Sequence, residues 1–196
     1  MDAHLTFEAH IKQLCKNSYH LRNIAKLRPT LTLSDAEKRV HAFVSSRLDY
    51  CNALLTGIPN KSIQKLQYIQ NSAARILMRV CKYDHITPIL KSLHWLPVEL
   101  RIEYKVSLLT HQCFYGTAPP YLKELLTPHT SLRTSRSSKA NLLKSPRTKL
   151  RTMGDRAFCS AAPRLWNALP DHMRAPQTVD AFKKGLKTHL FNRAFS

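Results

Sequence analysis

The chain has 196 residues and a mass of 22.5 kDa, enough to bury a core, and its 43% hydrophobic content excludes disorder by composition. Thirty-one Lys and Arg stand against 12 Asp and Glu, giving a net charge of +19 and a pI near 10.1. So large an excess carries self-repulsion and suits a chain that lies against a polyanion, RNA or DNA. No apolar run approaches a membrane span, and His4, Glu8, His10, Lys12 and Lys16 break up any apolar signal region in residues 1–20.

Residues 5–28 carry a helical apolar stripe at Phe7, Ile11, Leu14, Leu21 and Ala25, closed by Pro29. Ser34-Asp35-Ala36-Glu37 has the form of a capping box. The helix it opens is expected to bury Val40, Val44, Leu48, Cys51 and Leu55 and to stop at Gly57, with Pro59 just beyond. A further helix is expected from Ser62 to Cys81, burying Leu66, Ile69, Ala73, Ile76 and Val80. One residue earlier in register runs a second stripe, Lys61, Lys65, Tyr68, Ser72, Arg75 and Arg79, with Lys82 at its end. Cations, a hydroxyl and an aromatic beside a buried face suit a surface that tracks a nucleic-acid backbone, and a solvated helix flank is the plainer alternative.

A short helix is expected over 88–93, capped by Asp84 or Thr87, then an aromatic turn at His94-Trp95-Leu96 and a helix over 97–115. Pro97 suits the first turn of that helix, Glu99 and Glu103 its positive end, and Gly116 its stop. Val98, Ile102, Val106, Leu109 and Cys113 form its apolar face. Trp95 and Leu96 read as a wedge between the flanking helices, and stacking of a base on His94 and Trp95 is the functional alternative.

Residues 127–152 change character: Arg133, Arg136, Lys139, Lys144, Arg147, Lys149 and Arg151 stand among Ser, Thr and Pro. This is a basic loop or arm, with at most one short strand at Leu142–Ser145. From Gly154 an apolar cluster returns at Phe158, Ala161, Ala162, Leu165, Trp166 and Leu169. Thr178 is placed to cap a last helix with Val179, Phe182, Leu186 and Leu190 inward and Lys183, Lys184 and Lys187 outward. The fold class is mainly α, in four segments: a helical bundle over 1–82, a helical hub over 83–126, a basic arm over 127–153 and a small C-terminal helical segment over 154–196.

Chemistry-bearing motifs are sparse. Cys15, Cys51, Cys81, Cys113 and Cys159 are spread evenly with no CxxC pair, as buried free thiols in a reducing compartment would be. That points to an intracellular place, nucleus or cytoplasm. Cys81 with His85 and His111 with Cys113 are the close Cys/His pairs, and neither belongs to a four-ligand zinc spacing. Four glycines leave little loop machinery, and neither a phosphate loop nor a nucleophile elbow occurs. No cofactor, metal or small-molecule substrate is expected.

Taken together, these blocks resemble the segment downstream of the catalytic core in reverse transcriptases of non-LTR (LINE-type) retrotransposons. The residues that carry the likeness are Leu5–Ile11, Arg47–Leu55 (RLDYCNALL), Leu66–Arg75 (LQYIQNSAAR) and Leu93–Val98 (LHWLPV) with Arg101-Ile102 and Tyr104-Lys105. Further along come Ala118–Leu122 (APPYL), Gly154–Phe158 (GDRAF), Ala162–Pro170 (APRLWNALP) and Phe182–Phe191 (FKKGLKTHLF). The resemblance implies a thumb-like bundle that, in a whole polymerase, grips the template–primer duplex and the element RNA. It also implies a palm with an aromatic-x-Asp-Asp motif and a further Asp holding two Mg²⁺ ions. Here Asp49, in Leu48-Asp49-Tyr50-Cys51, has no neighbouring acid and falls in a different block of the pattern. The expectation is therefore a truncated copy or fragmentary gene model, non-catalytic, that is not itself an enzyme.

Backbone binding to RNA or DNA is expected at Lys61, Lys65, Arg75, Arg79 and Lys82, and at Arg133, Arg136, Arg147, Lys149 and Arg151 of the arm. The alternatives are a protein-interaction module that docks the Trp95 and Trp166 surfaces on a reverse-transcriptase core, or a relic without a cellular role.

Overall fold

Apolar residues three and four apart dictate helices along most of the chain, and the computed structural model is mainly helical. It describes residues 7–17, 19–129, 141–148, 151–175 and 178–196, with the side chains of residues 17, 151 and 152 excepted. The helices are α1 (Glu8–Asn17), α2 (Tyr19–Leu27), α3 (Leu33–Val40), α4 (Ser46–Asp49), α5 (Asn60–Met78) and α6 (Ile86–Ser92). They continue with α7 (Val98–Phe114), α8 (Pro120–Lys123), α9 (Arg151–Gly154), α10 (Phe158–Asn167), α11 (Asp171–Arg174) and α12 (Val179–Phe195). Among the described residues there is no strand. The short strand considered at Leu142–Ser145 is a single antiparallel bridge between Pro128 and Leu143.

The chain divides into two units, Met1–Ile102 with Arg193–Ser196 and Glu103–Asn192. The boundary falls inside α7, whereas the sequence segments part at 82, 126 and 153. A helix interior carries no compositional mark of such a boundary.

In the first unit α5 is the central element, packed by α1, α2, α3 and α6. Its buried residues are Ser62, Leu66, Ile69, Gln70, Ala73, Ala74 and Leu77. Ala36, Ala73 and Ala74 are fully buried, and such small side chains let neighbouring helices approach closely. The turn between α6 and α7 is bolted to α5 by two amides. Gln70 Nε2 donates to the Leu96 carbonyl at 2.8 Å, and Gln67 Oε1 accepts from the Val98 N–H, also at 2.8 Å. The second bond satisfies one of the first-turn donors that a helix cannot satisfy itself. Trp95 is 8% exposed and belongs to this core, as a wedge would.

Several local expectations are corrected. The cap of α3 is Thr32 rather than Ser34: Thr32 is extended, and its Oγ accepts from the Asp35 N–H at 3.2 Å. Asp35 then occupies the acid's place near the helix start, and its Oδ2 accepts a hydrogen bond from the Thr32 hydroxyl at 2.7 Å. That bond is the main reason its carboxyl sits below the ordinary value. The helix expected to run on to Leu55 is broken twice. Residues His41–Ser45 form a π-turn, yet Val44, Leu48 and Leu55 stay buried beyond its start, as expected. Cys51 then adopts a left-handed conformation with φ 52°, so it is exposed where a core position was expected.

Ala25 is exposed and Ile24, three residues after the buried Leu21, takes its place in the core. In α5 the core face is turned toward Gln70, Ala74 and Leu77, leaving Ile76 and Val80 half-buried. Neither Asp84 nor Thr87 caps α6, which starts after His85; Asp84 Oδ2 accepts instead from the Cys81 N–H at 2.7 Å.

The second unit is built round an aromatic stack. The His111 ring lies 4.2 Å from that of Phe182, and Phe114 stacks on Trp166 at 5.7 Å. Trp166 and Phe182 are fully buried, joined by Val106, Cys113, Ala161, Ala162, Leu186 and Leu190. In α7 Leu108 is buried and Leu109 only partly so. Thr178 caps α12 as expected, its Oγ accepting from the Ala181 N–H at 3.3 Å.

The end of the basic arm is pinned to α10. Asn167 Oδ1 accepts from the Leu143 N–H at 3.0 Å, and its Nδ2 donates to the Leu143 carbonyl at 2.8 Å. Trp166 Nε1 donates to the Asn141 carbonyl at 2.7 Å. Arg174, 5% exposed, donates to the carbonyls of Asn167 and Leu169 and pairs with Asp171.

Candidate nucleic-acid interface

Between Asp49 and Asp84 the chain holds five cations, Lys61, Lys65, Arg75, Arg79 and Lys82, and not one acid. α5 puts Lys61, Lys65, Tyr68, Ser72 and Arg75 at spacings of three and four, so they share one flank of the helix. From Lys61 to Arg79 that flank runs about 27 Å along the axis.

At its C-terminal end the flank forms one wall of an open cleft of about 370 Å³, lined by Ser72, Arg75, Ile76, Arg79, Val80 and Lys82. The opposite wall is Ala25, Arg28 and Pro29, the end of α2 and the turn after it. Three of the five predicted cations therefore meet at one concavity. Lys61 and Lys65 are exposed farther up the same helix.

Arg28 was not singled out by the sequence, because its partner lies 49 residues away. Its Nε and Nη2 both donate to the Leu77 carbonyl, at 3.0 and 2.9 Å, and its Nη1 donates to the Leu31 carbonyl at 3.0 Å. It satisfies an end carbonyl of α5 and brings a positive charge to the helix's negative pole. Arg75 Nη2 donates to the Asp84 carbonyl at 3.2 Å, which ties the loop after α5 back to the helix.

Arg79 closes α5 in a left-handed conformation, φ 55° and ψ 39°. Glycine is the usual residue there, because a Cβ costs roughly 1–2 kcal/mol in that conformation. The chain accepts that strain and places an exposed guanidinium at the mouth of the cleft.

Of the arm residues, Arg147 is exposed within the described segment 141–148. Arg133, Arg136 and Lys149 lie outside the described residues; the backbone of Arg151 opens α9 and its side chain lies outside them. Among the described residues no group of three or more His, Cys, Asp or Glu is placed to hold a metal ion. No helix of the described residues is long and apolar enough to cross a membrane. Trp166 is fully buried and Trp95 nearly so, so neither offers a face to a base or a partner protein.

Comparison of the chain with models of known protein families, with curated proteins and with solved structures finds no match.

Proposed function

We propose that this chain is a non-catalytic nucleic-acid-binding segment that holds RNA or DNA by its phosphates, independently of sequence, along α5 and its C-terminal cleft. The reading accords with the resemblance to the thumb and downstream region of non-LTR retrotransposon reverse transcriptases. One observation carries it: Arg75, Arg79 and Lys82 meet at a cleft in a stretch of chain without acids, and Arg79 holds a strained conformation to be there.

Three phosphate contacts release condensed counterions, so the logarithm of affinity falls with the logarithm of salt at a slope of roughly −2 to −3. Fluorescence anisotropy of a labelled oligonucleotide at rising salt measures that slope, and a slope near zero would overturn the reading. Arg79→Gly separates function from folding. It relieves backbone strain, so it raises the thermal midpoint, yet it weakens binding and reduces the slope by about 1. A variant that binds like the parent would show that Arg79 contacts no phosphate.

A second reading, a protein-docking module, draws on a different surface of the first unit. Phe7, His10, Tyr50, Cys51 and Leu54 line an apolar cavity of about 540 Å³, with Tyr50 and Leu54 largely exposed. It predicts concentration-dependent self-association in sedimentation that Leu54→Lys abolishes.

A further inference from the structure

Tyr83 is 92% exposed and Tyr68 is 66% exposed; Tyr68 lies on the cation flank of α5, and Tyr83 in the loop beyond the helix. Tyr68 precedes Ser72 by four residues and Arg75 by seven, one and two helical turns along the same flank. Tyr83 follows Lys82 directly, in the loop that Asp84 holds in place through Arg75 Nη2 and the Cys81 N–H. The two rings thus bracket Arg75, Arg79 and Lys82 in the chain.

A double helix hides the faces of its bases in the stack and would leave both rings without a partner. A single strand presents a free π-face at each nucleotide, and an aromatic ring beside phosphate-binding cations is the pairing that such a strand uses whatever its sequence. We infer that the α5 face selects single-stranded over double-stranded nucleic acid, with phosphates on Arg75, Arg79 and Lys82 and bases stacked on Tyr68 and Tyr83. This rests on the phosphate-binding reading above and departs from the duplex grip that the resemblance implies for a whole polymerase.

The test is anisotropy of the full chain with three probes: a labelled mixed-sequence single strand of about 12 nucleotides, its duplex, and an abasic strand of the same length. The single strand binds tightest. Tyr68→Ala and Tyr83→Ala each lower its affinity by about 5-fold to 150-fold, the equivalent of one lost stacking contact. Tyr68→Phe and Tyr83→Phe bind as the parent does, and the alanine variants hold duplex and abasic strand unchanged. Both rings are exposed, so circular dichroism of the variants should match the parent.

Equal or tighter binding of the duplex overturns the inference, as do alanine variants that keep full single-strand affinity. Salt-dependent binding that ignores both strandedness and the tyrosines removes stacking alone and leaves the phosphate reading standing. Salt-independent binding, or none to any probe, removes both.

Discussion

At the scale of single residues, long-range hydrogen bonds by side chains decide more than helix propensity does. Arg28 makes three bonds to backbone carbonyls with one planar guanidinium. Arg28→Ala is expected to cost about 1.5–3 kcal/mol in urea unfolding, and Arg28→Lys to recover little, since an ammonium cannot reproduce the fork. A cost under about 0.5 kcal/mol would place those bonds among the dispensable surface contacts. The cysteines offer a second check. Of the five thiols expected to be buried only Cys113 is, and burial pushes its thiol up; Cys15 and Cys159 are half-buried, and Cys51 and Cys81 are exposed. Since the thiolate is the reactive form, mass spectrometry of timed alkylation should find Cys51 and Cys81 modified first and Cys113 last.

At the scale of elements, two glycines with opposite surroundings give a paired prediction in the second unit. A Cβ at Gly154 would lie 2.7 Å from Thr148 Cβ, nearer than two carbons can pack. Gly154→Ala should therefore lower the thermal midpoint. At Gly185, inside α12, the nearest atom is Met173 Cε at 3.9 Å, an ordinary contact. Gly185→Ala should stabilise by about 0.5–1 kcal/mol, because alanine restricts the unfolded chain and favours the helix. Similar shifts in both variants would refute this packing. Asn167 supplies both halves of a strand-like pairing to Leu143, which is itself buried. Asn167→Ala leaves two backbone groups to find new partners and should cost about 1–3 kcal/mol.

At the scale of the molecule, charge is the dominant fact. With a net charge of +19, self-repulsion opposes the folded state, and salt screens it over a Debye length of about 10 Å at 0.1 M. The thermal midpoint should therefore rise between about 0.05 and about 0.3 M NaCl, over the range in which nucleic-acid affinity falls. A midpoint that falls with salt would mean that attractive ion pairs outweigh the repulsion.

The mainly helical class, the last helix with its Thr178 cap, the burial of Trp95 and Trp166 and the cation flank of α5 were all legible in the amino-acid sequence. Each rests on spacing within one turn or two, or on residue type, and local geometry carries both. Tertiary structure alone decided what depends on partners distant in the chain. The Gln67 and Gln70 bolts to the α6–α7 turn span 31 and 26 residues, and the Arg28 cap spans 49. The π-turn at 41–45 and the left-handed Cys51 interrupt a helix that looked continuous, because a change in winding is invisible in a pattern of residue types. Of the expected core positions in that helix only Cys51 turns outward, while Val40, Val44, Leu48 and Leu55 are buried. The cleft itself belongs to this second group. Periodicity placed Arg75 and Arg79 on one flank, but only the packing of α2 against α5 made that flank a concavity.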